Sequence, residues 1–370
     1  MKKIAKLSLV AAVAVAGLTN VNAASLEEAI KGVDISGQFR FRAQDISNGG
    51  DTTDVEVEVG AKVPVTEEIT AVFKIDTTRN TSDAAAQSGD DLDIEDYYFS
   101  YNSGAVTVNA GQQNIPGRMT DGAQGDGIVA LYNLGSATIG AAAFMNHNAA
   151  AAEGDRALSA IAMGNVGPVS LLGQFTDVED LLQAYNLKAD VNFQMVKAGV
   201  EYTSLDLDDA VQLTNQDDRS TFKAYVGGNV GIVSATATYA KTGDNGAGSM
   251  HNVTNAAGNE SEVPSEYLLW NLGTASNDTS TNGVNGSNEE VELYAIDASV
   301  KVTDKISLRA AYAAGEVGTG VNNDVYEVLG QISYKVAKNL NTYVRYADFD
   351  NSNANDDNQQ RARVEVKYSF

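Results

Sequence analysis

The sequence has no cysteine, four prolines, one tryptophan and two histidines in 370 residues. Without cysteine there are no disulfides, no thiolate metal ligands and no thiol nucleophile. The two histidines, His147 and His251, fall in stretches expected to be loops, and neither stands beside a nucleophile motif. That leaves little for general acid–base catalysis. Long apolar runs are missing too. The best, Leu7 to Leu18, is shorter than the roughly 20 residues a spanning helix needs. Positive charge is scarce, with 25 Lys and Arg against 49 Asp and Glu. Nucleic acid is therefore excluded as a partner, since binding it needs clustered bases.

The short apolar run has a different explanation. Lys2, Lys3 and Lys6 precede it, and Val21-Asn22-Ala23 follows with small residues at cleavage positions. This is the pattern of a secretory signal peptide over 1–23, cut before Ala24. Its removal takes three lysines and no acid, leaving 22 cationic residues against 49 acidic ones and a net charge of −27. Residues 24–370 show no linker or composition shift, so they read as one domain.

What the chain has in place of long runs is alternation. After a short helical turn over 24–32, with Ser25 and Glu28 placed as a capping box, Val33, Ile35, Gly37, Phe39, Phe41 and Ala43 alternate with Asp34, Ser36, Gln38, Arg40, Arg42 and Gln44. That is the length of a tilted membrane-crossing strand. The period-2 pattern recurs at 54–63, 71–76, 97–101, 106–110, 196–202, 233–239, 306–312, 326–334 and from Leu340. Short connections (66–68, 102–104, 227–231, 303–305, 337–339) alternate with long polar ones (48–53, 79–91, 206–218, 243–290, 316–323, 348–360). The fold class implied is all-β, a transmembrane antiparallel barrel of about 18 strands, with 16 the alternative. An even number puts both termini on one side. Residues 127–193 alternate poorly because of Ala-rich runs near Ala141 and Ala160.

The last strand, Arg361 to Phe370, places Ala362, Val364, Val366, Tyr368 and Phe370 on one face and Arg361, Arg363, Glu365, Lys367 and Ser369 on the other. It ends the chain on an aromatic residue. This ending resembles the closing strand of Gram-negative outer-membrane barrels, in which a terminal Phe is the usual assembly signal. Tyr368 and Phe370 would carry it to the barrel assembly machinery. At the other end, the leader followed by SLEEAIKGVDISGQFRFR resembles the Campylobacter-type major outer membrane porins of the epsilonproteobacteria. The resemblance implies a homotrimer in outer-membrane lipid. Ala137, Ala141 and Ala143 are candidates for a flat protein-facing surface.

So many ionic residues on the non-lipid face cannot fill a dry interior, so they imply a water-filled lumen. The expected function is passive diffusion of ions and small hydrophilic solutes, with cations preferred. A substrate-specific channel and a non-conducting adhesin are the alternatives, and the scattered Tyr98, Tyr225 and Tyr343 do not make the aromatic slide a sugar channel would need. An outer-membrane hydrolase or protease is the enzymatic alternative, and the histidine count argues against it. The stretch 112–127, rich in Gly and holding Pro116-Gly117, is the candidate constriction loop, with Arg118, Asp121 and Asp126 projecting into the channel. Closure of the barrel would gather Arg40, Arg42, Arg361 and Arg363, with Arg345 one strand on, into a basic wall. Either that wall sets a transverse field, or Glu56, Glu58 and Glu365 neutralise it. No cofactor is expected, although closely spaced loop carboxylates such as Asp90-Asp91 or Asp208-Asp209 could hold Ca²⁺ weakly.

Overall fold

A computed structural model describes residues 32–47, 51–82, 91–120, 124–147, 156–207, 218–246, 290–318, 324–351 and 359–370. The leader, all but the last residue of the expected helical turn, Asp121, His251 and Trp270 lie outside them. Through the described residues run β1 (Asp34–Ile46), β2 (Thr52–Pro64), β3 (Ile69–Ser82), β4 (Asp91–Ser103), β5 (Val106–Asn114), β6 (Gln124–Asn133), β7 (Ala137–Met145), β8 (Ala157–Val166) and β9 (Val169–Val178). The second half holds β10 (Leu182–Phe193), β11 (Val196–Leu207), β12 (Arg219–Val230), β13 (Val233–Thr242), β14 (Val291–Lys301), β15 (Ile306–Val317), β16 (Asp324–Ala337), β17 (Leu340–Asn351) and β18 (Gln359–Ser369).

Each strand pairs antiparallel with its neighbours in sequence, and β1 pairs with β18. The sheet of 18 strands is thus a closed barrel with no free edge. The side-chain period of 2 then assigns every residue to the outer or the inner face. Phe39 (49% exposed), Ile128 (56%), Ile296 (59%) and Ile332 (59%) stand on the outer face. Such surface would drive aggregation in water and is satisfied by lipid. No described helix is long and apolar enough to cross a membrane, so crossing falls to the strands.

The connections at one end are short, such as Gly104-Ala105 and Gly231-Ile232, where the glycines take φ of 60° and 61°. The turn expected at 227–231 is tighter than that. Gly227 stays in the ladder, opposite Lys197 and Thr236. The poorly alternating zone 127–193 contains five strands, β6 to β10. Its inner face carries Val129, Ala142, Phe144, Ala157, Leu182 and Ala184, buried together with Ile115 and Met119 of the β5–β6 connection. Much of the inner face is apolar here as well as the outer one, so polarity alternates only in part even though the side chains do.

The barrel is sealed where its ends meet. Gly37 N–H donates to Phe370 O and Phe370 N–H to Gly37 O, both at 3.1 Å. The Phe370 ring stacks on Tyr368 at 6.0 Å and packs at a tilt against Phe39 at 5.9 Å. A β-carbon on Gly37 would meet the Glu58 carbonyl and come within 2.8 Å of the Phe370 ring. Gly37→Ala is therefore expected to destabilise the seam by about 1–3 kcal/mol. The measurement is the fraction of detergent-solubilised protein whose unheated gel mobility differs from its boiled mobility. That fraction should drop in the variant, because the tighter clash is with the Glu58 backbone carbonyl, which cannot give way.

Candidate functional site: the inner wall and the inward connection

The β5–β6 connection turns in against the inner face of β8 to β11. Gln174 of β9 holds its backbone: Oε1 accepts from Arg118 N–H (2.6 Å) and Met119 N–H (3.0 Å), while Nε2 donates to Thr120 Oγ1 (3.2 Å). Ser159 Oγ of β8 donates to Pro116 O at 3.4 Å. Gly117, at φ 139°, lets the chain pass where any side chain would run into Gln174. Ile115 and Met119 are buried and contribute roughly 1.5–3 kcal/mol each by leaving water.

Arg118 fixes the far end. Its guanidinium donates to Glu201 of β11 at 2.8 and 3.3 Å. Glu201, only 3% exposed, also accepts from Asn186 at 2.9 Å and pairs with Lys223 at 3.2 Å. Arg118, expected to project into the channel, instead turns to the wall. Asp126 corrects that expectation more strongly. It lies in β6, exposed, on the outer face with Ile128 and Tyr132, in one row with Tyr97. The connection ends before it, so strand alternation carries its carboxylate away from the lumen.

The basic wall divides in two. Arg42 faces Glu365 across β1–β18 and donates to it at 2.8 Å, and Arg40 pairs with Glu56 and reaches Asp54 at 3.8 Å. These two arginines have carboxylate partners. Arg345 and Arg363 stand directly opposite across β17–β18, with Arg361 opposite Ala347. Arg363 donates to Gln44 (2.9 Å) and Arg345 to Gln331 (2.7 Å) and stacks 4.9 Å from the Tyr343 ring. In a ring of 18 strands, β9 lies halfway round from β18, so the Gln174 seat faces this wall across the lumen.

An acidic stretch not singled out in the sequence lies on β2 to β4. Glu58 and Asp76 share a row, and Lys74 lies between Glu58 (3.3 Å) and Glu95 (2.6 Å). Asp96 reaches Lys74's row through a register shift in β3–β4. That bulge hid the grouping, because Glu95 and Asp96 alternate out of phase with the strand before them. Among the described residues, no group of three or more His, Asp or Glu is arranged to hold a metal ion. His147 is buried just beyond β7. Glu201→Gln is expected to free the connection, seen in planar bilayers as larger open-channel current fluctuations and a higher mean conductance. Breaking one partner from a buried ionic cluster costs about 3–5 kcal/mol, enough to populate an unlatched state.

The chain's similarities accord with this architecture. A family model described as Campylobacter major outer membrane protein matches residues 1–368. No curated protein matches the sequence. Among solved structures, the outer membrane protein OpdK of Pseudomonas aeruginosa superposes with a TM-score of 0.72 at 12% identity, covering 92% of this chain and 99% of OpdK. OccK3 (OpdO) of the same organism gives 0.71 at 11%, covering 93% and 97%. OccK2 (OpdF), solved in complex with glucuronate, gives 0.69 at 12%, covering 92% and 98%. At such identities the likeness is one of fold.

Proposed function

The chain belongs to the Campylobacter major outer membrane protein family, and from that membership we propose that this outer-membrane porin passes ions and small hydrophilic solutes by passive diffusion and prefers cations. The observation behind it is the inner face itself. Ionic side chains line it on β1 to β4 and on most strands from β10 to β18, from Arg40 and Glu58 to Lys188, Asp297 and Lys367, and they need water around them. It is a channel, not an enzyme. Cation preference comes from the acidic excess of the exported chain and from the carboxylates on β2 to β4. Those fields act only within about 8–10 Å at physiological salt, so they work at the wall and at the mouth.

The reversal potential across a KCl gradient in planar bilayers is expected to have the cation-selective sign and to shrink as salt rises. Asp121→Asn should reduce it. Asp126→Asn should leave it alone, because that side chain faces outward. A potential of the anion-selective sign at low salt would transfer control to Arg345, Arg361 and Arg363. That outcome favours the second reading, a channel specific for carboxylate solutes. The neighbouring structures solved with glucuronate and vanillate and the arginine wall support it.

The homotrimer belongs to the same proposal. Ile139 and Met145 of β7 are exposed on its outer face, and Ala141 and Ala143 share that face. Their small size offers a flat area between copies. Ala141→Arg is expected to convert the trimer to monomer in detergent, measured by light scattering on a sizing column. An intact trimer would move the interface to other strands.

A further inference from the structure

Resting on the porin reading above, we infer that the short-turn mouth of the channel carries a lysine site for polyvalent anions of phosphate or carboxylate type. It is built by the rim of β15 to β18, and short turns place this mouth on the periplasmic side. Lys305 lies in the β14–β15 turn and Lys338 in the β16–β17 turn, while Lys335 and Lys367 lie near the ends of β16 and β18. Lys335 N–H donates to Lys305 O at 2.8 Å. In the ladders Lys335 faces Asn341, and Asn341 faces Lys367. Two strand spacings, about 10 Å, therefore separate the backbones of Lys335 and Lys367, and one, about 5 Å, separates Lys305 from Lys335. Four ammonium groups fall in one small arc of the rim.

Among the described residues none of these four lysines pairs with a carboxylate. Asp304, on the same turn as Lys305, goes to Lys301 at 3.2 Å. Glu365, two residues before Lys367, accepts from Arg42 at 2.8 Å and from Tyr343 at 3.1 Å. Arg40, opposite Lys367, is held by Glu56, and Asp34 faces Lys62 across β1–β2. Glu67 and Glu68 stand on the β2–β3 turn, beyond β1 and at least two strand spacings from Lys367. That is about the screening distance at physiological salt. The residues interleaved with the lysines, Asn339 and Asn341, are neutral amides. The local excess is positive in a chain whose formal charge is −24.

Strand alternation decides which anions reach the site. Lys335 and Lys367 share the inner face with Ser333 and Glu365, whereas Tyr334, Val336, Tyr368 and Phe370 hold the outer face. Bilayer headgroups lie behind that aromatic edge, so a solute in the lumen or the periplasm is what meets the ammonium groups. Lys305, Lys335 and Lys338 are exposed and Lys367 is half-buried. The Thr303 hydroxyl accepts from Lys305 N–H at 3.1 Å and Ile306 N–H at 3.0 Å, which fixes the backbone of that turn. A monovalent anion engages one flexible, hydrated ammonium at a time and gains little. An anion of three or more charges spans neighbouring lysines, and each later contact forms at a high effective concentration. It also relieves the repulsion among like charges on adjacent strands. Bound there, it narrows the exit.

The test is planar-bilayer current through the full-length porin, with sodium tripolyphosphate or citrate added to one chamber and then to the other at constant ionic strength. Block is expected from one side only, at concentrations where acetate has no effect. Lys335→Gln with Lys367→Gln is expected to raise the half-blocking concentration about fivefold or more. Lys305→Gln with Lys338→Gln, which alters only turns, should do the same and keeps the test open if the first pair fails to insert. Lys335→Arg with Lys367→Arg keeps the charge and should keep the block. Lys241→Gln, near the other end of the barrel where Lys241 pairs with Glu290, should change nothing. Block by either probe supports the site, and tripolyphosphate acting alone restricts its class to phosphates. No block from either side, equal block from both sides, or an unchanged half-blocking concentration in any conducting Gln pair overturns the site and leaves the porin reading standing. A wild-type protein that conducts nothing overturns the porin reading instead.

Discussion

Everything in this molecule depends on closing the sheet. In lipid an unpaired backbone N–H or C=O has no water to turn to, so an open edge costs several kcal/mol per group. The contact that removes the edge is the β1–β18 ladder, from Gln38–Ser369 to Ile46–Arg361. Its end is the reciprocal Gly37–Phe370 pair. A glycine is needed there because the terminal ring and the Glu58 carbonyl occupy the space of a side chain. The same closure sets the register of the first and last strands, and hence which arginines share a row.

Closure also creates the problem that the inward connection solves. A ring of 18 strands encloses a wide lumen, and open space does not discriminate among solutes. Ile115 and Met119 anchor the connection by apolar burial, Gln174 reads its backbone, and Arg118–Glu201 ties it to β11. Apolar contacts provide adhesion and polar ones provide position. Because Glu201 also answers Lys223 and Asn186, the seat is a network, and it resists the removal of any one bond less well than a purely apolar seat would.

The charges on the rest of the inner wall are arranged by paired rows rather than by sequence proximity. Arg345 and Arg363 are 18 positions apart yet directly opposite, while Arg40 and Arg42, neighbours on one strand face, find Glu56 and Glu365 on different sides. Arginines paired with carboxylates and arginines held by glutamine amides therefore share one stretch of wall.

Much was legible in the chain. Period-2 alternation and short and long connections in turn pointed to a closed antiparallel barrel, since only one face of each strand is compatible with lipid. The inner or outer placement of Arg40, Phe39 and Phe370 followed at once, because alternation is a local property of the backbone. The cases that needed tertiary structure share one cause. Strands β6 to β10 lost much of their polar contrast because the folded-in connection packs on apolar residues of their inner face. Asp126 belonged to a strand and not to the loop, and that one boundary turned it from the lumen to the lipid side. Glu95 and Asp96 joined the acidic stretch of β2 to β4 through a bulge that shifts the phase. The pairing of Arg118 with Glu201 spans 83 positions and depends on where a loop lands. Sequence determined which side each strand residue faces. Tertiary structure decided which charges meet, because meeting depends on register, bulges and loop path, and none of these is written in a local period.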